Sequence, residues 1–148
     1  MNTYPYSLLL KQAEALVSSE TDFIANTANL ASLLFHDMDN VNWVGFYFYK
    51  EEQLVLGPFS GQPACTRIPI GKGVCGTAFA EQTTLIIDDV HSFEGHIACD
   101  AASKSEIVVP FNTAEYQGVF DIDSPILNRF GNYEKTLFEA VVAILEAS

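Results

Sequence analysis

Short polar turns join the strand-like segments in the middle of the chain, and this spacing constrains the fold more than any other feature. The aromatic segment NWVGFYFYK at residues 42–50 has strong β character, and LVLGPF at 54–59 follows after only a few polar residues. A second pair, EIVVPF at 106–111 and YQGVFDIDS at 116–124, is also separated by a short turn. Connections this short join antiparallel strands, because a parallel crossover needs about a dozen residues or more. The pattern therefore predicts hairpins in an antiparallel sheet.

Helical periodicity flanks these strands at both ends of the chain. Apolar residues recur at helical spacing over residues 7–17, and the following segment predicts a second helix with Ser19 as its N-cap. An amphipathic helix is predicted at 132–148, and shorter strands at 65–70 and 84–88. This order of helices, strands and helix is typical of an α+β fold with helices on one face of an antiparallel sheet.

Composition narrows the classes of function. The chain has 148 residues, 49% of them hydrophobic, and a formal net charge of −12, which together favour one folded domain over residues 1–148. The acidic balance argues against nucleic acid or an anionic membrane as a partner, since both need clusters of Lys and Arg. The sequence shows no basic leader and no long apolar run, so we expect a soluble cytoplasmic protein. The three cysteines do not form an even set, which argues against a static disulfide framework.

Two weak motifs have simpler explanations than the sites they suggest. The segment GKGVCG matches the glycine spacing of a dinucleotide-binding turn, but too few residues follow for a full crossover helix, and a tight turn explains the glycines better. His91, His96 and Cys99 have a spacing that is not typical of zinc ligands, and we expect no metal.

Carboxyl groups provide a stronger indication of a site. Asp121 and Asp123 alternate along a predicted strand that is otherwise apolar, so both point to one face of the sheet. Glu106 reaches the same region if its strand pairs with 116–124. A solvated sheet face, or Asp123 capping a turn, would also explain the pattern. Three close carboxyls cannot all stay ionised, so one should have a raised pKa and could donate a proton, while another could pair with a substrate ammonium. The combination suits a small zwitterionic substrate.

Several segments together identify a resemblance. The segments NWVGFYFY, LVLGPFSGQPACTRIPIGKGVCG, DVHSFEGHIACDAASKSEIVVP and GVFDIDS resemble the free methionine-(R)-sulfoxide reductases, which are GAF-domain enzymes. The resemblance runs from about Asn42 to Ser124, and the flanking helices fit a GAF domain. There are two small departures: the turn NTAEY is short for the family, and Phe120 stands where leucine is more usual. A shorter turn could alter the strand pairing beside the site.

The resemblance implies a six-stranded antiparallel sheet with helices packed mainly on one face, often in a homodimer. It implies an oxidoreductase that acts on a sulfur group and reduces free methionine-(R)-sulfoxide, with thioredoxin as electron donor and no cofactor. Cys99 would be the attacking cysteine, Cys65 the resolving cysteine and Cys75 a minor third. Glu106, Asp121 and Asp123 would hold the sulfoxide oxygen and the amino group, with Glu106 and Asp123 in the catalytic step and Asp121 in substrate binding. Trp43 would pack on the methyl end of the substrate; the alternative is a tryptophan that serves only the core.

Cys99 lies in EGHIACDAASKSE, within a long predicted loop at residues 88–105. Nearby carboxylates disfavour a thiolate in the empty site, so we expect the thiol to be activated chiefly once substrate is bound. The loop would carry Cys99 between the substrate and Cys65. Two other classes remain open: a GAF module that binds a small ligand, and a redox sensor whose disulfide is itself the signal.

Overall fold

A computed structural model describes residues 4–96 and 102–148 as a six-stranded sheet with four α-helices. The helices are α1 (Ser7–Val17), α2 (Phe23–Asp37), α3 (Gly73–Glu81) and α4 (Asn132–Ala147). The strands are β1 (Trp43–Lys50), β2 (Gln53–Gly61), β3 (Arg67–Pro69), β4 (Leu85–Ile87), β5 (Ser105–Asn112) and β6 (Gln117–Ser124), and a 3-10 helix spans Val90–Ser92. In the described ranges, no helix combines the length and the apolar character needed to cross a membrane.

Every pair of neighbouring strands described in this sheet is antiparallel, in the order β3-β2-β1-β6-β5-β4. The two predicted hairpins, β1–β2 and β5–β6, lie side by side because β1 also pairs with β6. The predicted fold class, an α+β six-stranded antiparallel sheet, is confirmed.

The two faces of the sheet are covered unequally. Helices α1, α2 and α4 pack on one face, where alternate strand residues such as Phe46 and Phe120 form the larger apolar core. Phe120 stacks on Phe46, with ring centroids 4.5 Å apart, and meets the edge of Phe138. The phenyl ring at position 120 therefore fills the core on the helical face, away from the other side of the sheet. Helix α3 packs on that other side, against a smaller apolar cluster.

The start of the second helix differs from the prediction. Its N-cap is Asp22 rather than Ser19, and the Asp22 carboxylate accepts a hydrogen bond from the N–H of Ala25 at 2.8 Å. This is the usual bond from an N-cap side chain to the third helical N–H. The Glu20 carboxylate accepts from the N–H groups of Thr21 and Asp22, which holds the preceding segment outside the helix.

The short turn between β5 and β6 leaves the strand pairing regular. The N–H of Thr113 donates to the carbonyl of Tyr116 at 2.7 Å, and the register continues unbroken from Asn112 opposite Gln117 to Ser105 opposite Ser124. The short turn therefore does not alter the strand pairing beside the site.

The glycine-rich segment forms a tight turn into α3, as predicted. Gly71 has a φ of +83°, and its N–H donates to the carbonyl of Gly76 at 2.9 Å. A Cβ on Gly76 would lie 2.4 Å from the carbonyl oxygen of Pro69, so the close approach of helix and strand requires glycine there. Helix α3 is only 9 residues long and leads into β4, which runs antiparallel to β5. A dinucleotide site would need a parallel β-α-β unit at this point, so the glycine spacing serves the turn.

Candidate functional site

Three carboxyl groups meet on the face of the sheet that α3 covers. Asp121 and Asp123 alternate on β6, and Glu106 on β5 stands directly opposite Asp123. Because directly opposed residues share a face, all three point the same way, as the sequence predicted. All three are buried, between 5% and 8% exposed. We call this group the acid cluster. Its burial excludes the alternative of a solvated sheet face.

Helix α3 brings a thiol to the acid cluster. Cys75 lies in the first turn of α3, and its S–H donates to Oε2 of Glu106 at 3.9 Å. One ligand atom from each of Cys75, Glu106 and Asp121 lies within 4.8 Å of the others, a spacing that could hold a cation. Cys75 packs at the start of the short helix, as expected, but it also contacts the acid cluster more closely than a minor third cysteine would suggest.

The surroundings of Glu106, Asp121 and Cys75 favour the neutral forms of these three side chains. Burial raises the pKa of Glu106 well above its usual value, and the neighbouring Asp121 raises it further. Burial and then Asp123 likewise raise the pKa of Asp121. Burial also raises the pKa of the Cys75 thiol, with Asp121 adding to the effect. Binding a metal ion would require these groups to lose their protons. In its neutral form a carboxyl can donate a proton, and its other oxygen can still accept a hydrogen bond from a substrate ammonium.

One oxygen of the acid cluster has a free hydrogen-bonding position. Oδ1 of Asp121 is buried and has no hydrogen-bond partner among the residues that the structure describes. Burying a carboxyl oxygen without a partner costs about 1–3 kcal/mol. A donor from a bound molecule, such as an ammonium group, would remove that cost.

The buried acids give a testable dependence of stability on pH. A carboxyl whose pKa is raised in the folded state binds more protons folded than unfolded, so the free energy of unfolding falls as the pH rises from about 4 towards the raised pKa. In Glu106→Gln the free energy of unfolding should decrease less steeply with pH than in the wild type. The two slopes should differ by up to about 1.4 kcal/mol per pH unit, which corresponds to one proton. Urea unfolding at pH 5, 6, 7 and 8 under constant reducing conditions measures this slope. Parallel curves for the two proteins would show that Glu106 does not stay protonated in the folded protein.

An aromatic wall forms the side of the site next to the acid cluster. Trp43 and Tyr47 lie two residues either side of Gly45 on β1, on the same face as the acids. A Cβ on Gly45 would lie 2.5 Å from Cη2 of Trp43, so the indole ring lies over the bare backbone there. The indole stacks between Tyr47, at a centroid distance of 5.9 Å, and Phe59, at 5.3 Å. Trp43 therefore belongs both to the core and to the lining of the site.

A pocket opens between the aromatic wall, α3 and the acid cluster. Its polar and aromatic lining among the described residues comprises Trp43, Tyr47, Cys75, His96, Ser103, Glu106, Asp121 and Asp123. Tyr47 and Ser103 were not predicted from the sequence, and His96 was predicted only as a candidate metal ligand. Tyr47 could have been found, because strand alternation places it on the face of Trp43. The positions of Ser103 and His96 depend on loop geometry, which has no such period.

The cysteines that the resemblance implies are described only in part. Cys65 lies between β2 and β3 and is half-buried beside the smaller apolar cluster. Cys65 is disulfide-bonded, and Cys75 is a free, buried thiol. The predicted attacking residue, Cys99, lies outside the described residues. His91 and His96 have ring centroids 6.5 Å apart, and the third member of that metal candidate, Cys99, is again outside the described residues.

Comparison with known proteins assigns the family. The free methionine-R-sulfoxide reductase of Escherichia coli is 48% identical over 142 residues, which cover 95% of this chain and 86% of that protein. This chain belongs to the free methionine-R-sulfoxide reductase family. No protein-family model matches the chain.

Solved structures extend the assignment from sequence to fold. The substrate complex of Staphylococcus aureus fRMsr superimposes with a TM-score of 0.91 at 51% identity, covering 99% of this chain and 97% of that one. A structure described as the GAF domain gives a TM-score of 0.88 at 39% identity, covering 95% and 84% of the two chains. The GAF fold predicted from the resemblance is therefore confirmed. In this member of the free methionine-R-sulfoxide reductase family, the acid cluster and the aromatic wall occupy one face of the GAF sheet.

Proposed function

We propose that this protein reduces free L-methionine-(R)-sulfoxide to L-methionine in the pocket between the aromatic wall and the acid cluster. The observation that carries the proposal is the buried acid cluster, which offers proton donors and an unpaired acceptor in the same small space. A zwitterionic sulfoxide needs both: an acid for the oxygen that leaves sulfur, and an acceptor for its ammonium group. Membership of the reductase family supports the same substrate.

The two sides of the pocket would bind different parts of the substrate. The methyl end would lie against Trp43, which gives apolar contact, and the ammonium group would donate to Oδ1 of Asp121. Glu106 and Asp123, which face each other across β5 and β6, would hold the sulfoxide oxygen. The raised pKa of Glu106 supports its role as the proton donor, because a neutral carboxyl can donate near pH 7.

The redox chemistry would use the thiols in sequence. Cys99 attacks the sulfoxide sulfur, the oxygen is transferred with protonation from the acid cluster, and methionine leaves as Cys99 becomes a sulfenic acid. The Cys65 thiol then condenses with the sulfenic acid, which forms a disulfide and releases water. Thioredoxin reduces this disulfide by thiol–disulfide exchange and is itself oxidised. The disulfide formed by Cys65 supports a redox-active role for that residue.

Backbone hydrogen bonds hold both ends of the predicted loop at 88–105, and they limit the part of it that could move with Cys99. The N–H of Val90 donates to the carbonyl of Lys104 at 2.9 Å, and Val90 is fully buried. The N–H of Lys104 also donates to the carbonyl of Ser124 at 2.7 Å. We propose that any displacement of Cys99 between substrate and Cys65 takes place between these anchors rather than across the whole segment.

A single domain over residues 1–148, a homodimer, a cytoplasmic location and turnover without metal or organic cofactor complete the proposal. They follow from the sequence and the resemblance. Sedimentation velocity of the purified protein tests the homodimer. Steady-state turnover in the presence of a chelator tests the absence of a metal.

Free substrate should be strongly preferred over the same group in a peptide. A methionine sulfoxide inside a peptide lacks the α-ammonium, so Asp121 would stay buried and unpaired, at a cost of about 1–3 kcal/mol or roughly 5- to 150-fold in kcat/KM. The measurement is methionine formation from the free R and S epimers and from an N-acetylated, C-amidated R-sulfoxide, with thioredoxin and its reductase. Equal turnover of the blocked compound would contradict the assigned role of Asp121. Binding without any turnover would instead favour a ligand-sensing or redox-sensing GAF module.

A further inference from the structure

Two side chains of the aromatic wall hold the segment that carries Cys65. This segment, residues 62–66, connects β2 with β3. The indole N–H of Trp43 donates to the carbonyl of Gln62 at 3.0 Å, and the phenol of Tyr47 donates to the carbonyl of Cys65 at 2.9 Å. The carbonyl of Thr66 accepts a third bond, from the N–H of Leu56 at 3.0 Å. The backbone at Cys65 and on both sides of it is therefore hydrogen-bonded to β1 and β2.

The hydrogen bond from Tyr47 is well placed to fix the position of the Cys65 side chain. It is made to the carbonyl of the cysteine residue, so it restrains the backbone from which Sγ projects. Tyr47 is only 2% exposed, and its ring stacks on Trp43, so the hydroxyl has little freedom to bond elsewhere. Burial, and next the proximity of Asp121, also raises the pKa of Tyr47, which keeps the phenol protonated as a donor.

We propose that Tyr47 is a positioning residue for Cys65: its hydroxyl holds the backbone of the resolving cysteine against β1 so that the disulfide forms readily. The inference rests on the proposed function in taking the Cys65 disulfide as part of the reaction cycle. The hydrogen bond is present with Cys65 disulfide-bonded, and because its donor lies on a paired strand, the same bond in the reduced protein would restrict the backbone of Cys65. The second thiol therefore meets Cys65 at a higher effective concentration.

The arrangement assigns different tasks to the two thiols of the cycle. Cys65 is fixed through the same strand residues that line the substrate pocket. The approach that disulfide formation requires would then be made by the attacking cysteine rather than by Cys65. Tyr47 touches the pocket with its ring and the Cys65 segment with its hydroxyl, so Tyr47→Phe separates the two contacts by removing the hydroxyl alone.

The first test does not depend on reductase activity. Reduced protein is equilibrated with mixtures of glutathione and glutathione disulfide; each protein disulfide formed consumes one glutathione disulfide and releases two glutathione molecules. Loss of one hydrogen bond should lower the equilibrium constant for disulfide formation in Tyr47→Phe by about two- to tenfold. Tyr49→Phe is the matched control: it lies on the same strand, is 40% exposed and should leave the constant unchanged. An unchanged constant in Tyr47→Phe would overturn the proposal.

The second test separates the steps of the reaction. In one turnover without thioredoxin, the sulfenic acid of Tyr47→Phe should persist longer after methionine release than that of the wild type, so a 1,3-diketone should trap a larger fraction of it. Slower methionine release with no increase in the fraction of sulfenic acid trapped would assign the hydroxyl to substrate binding and contradict the positioning role. If no variant and no wild-type protein releases methionine, the proposed function fails, whereas the glutathione equilibrium still decides the role of Tyr47. Urea midpoints for both variants establish that the folded proteins are being compared.

Discussion

Cys99→Ser is expected to release no methionine from methionine-(R)-sulfoxide, even in a single turnover. A serine hydroxyl is a far poorer nucleophile towards sulfur than a thiolate, so the first step has no substitute for this group. The measurement is methionine released per protein chain without reductant, followed by the steady-state rate with thioredoxin. The expected loss in both is complete within detection, whereas the fold, judged by its urea midpoint, should be preserved.

The other two cysteines serve as matched controls for this result. Cys65→Ser should release about one methionine per site and then stall with Cys99 oxidised, because no disulfide forms for thioredoxin to attack. Cys75→Ser should turn over substrate at close to the wild-type rate. Because Cys75 contacts Glu106, a small change in substrate affinity is compatible with this expectation. If Cys65→Ser loses the first turnover while Cys99→Ser retains it, the roles of attacking and resolving thiol are exchanged.

Glu106→Gln is expected to slow methionine formation by about tenfold or more in single turnover, which corresponds to roughly 1.4 kcal/mol of barrier. The amide keeps the size of the side chain and one acceptor, but it cannot supply a proton to the departing oxygen. Asp123→Asn, directly across the strand pair, should show a loss of similar kind, because it removes a second partner of the sulfoxide oxygen.

Two further variants test whether each carboxyl group has the role assigned to it. Asp121→Asn should mainly weaken substrate binding, seen as a raised KM with a smaller change in the single-turnover rate at saturation. Glu139→Gln, which is exposed on α4 across the sheet from the pocket, should leave both quantities unchanged. Wild-type single-turnover rates in Glu106→Gln and Asp123→Asn would mean that the proton comes from elsewhere.

The sequence was most informative where the alternation of side chains along a strand determines which face of the sheet a residue occupies. The alternation of a strand places Asp121 and Asp123 on one face, and the pairing of two hairpin strands then adds Glu106. These relations depend only on local geometry and a short turn, so they could be predicted. The same rule, applied to β1, would have added Tyr47 to Trp43.

Features that depend on tertiary packing were harder to predict from the sequence. The approach of Cys75 to Glu106 depends on how α3 docks on the sheet, which the glycine spacing does not specify. The start of α2 could not be settled by propensity, because Ser19 and Asp22 are both good N-cap residues and the bonds of Glu20 decide between them. The positions of His96 and Ser103 depend on irregular backbone, where no hydrophobic pattern is available.

The continuous β5–β6 register bears on which insertions and deletions the chain can tolerate during evolution. Removing a single residue inside β6 would exchange its two sides, sending Asp121 and Asp123 into the core beneath α4 and phenylalanine into the pocket. A change of length in the turn at 113–116 would leave both strand faces as they are, provided that Asn112 still pairs with Gln117. Lineages can therefore shorten or extend this hairpin tip while their chemistry is inherited intact, whereas the strands beneath it can vary in residue type but not in length.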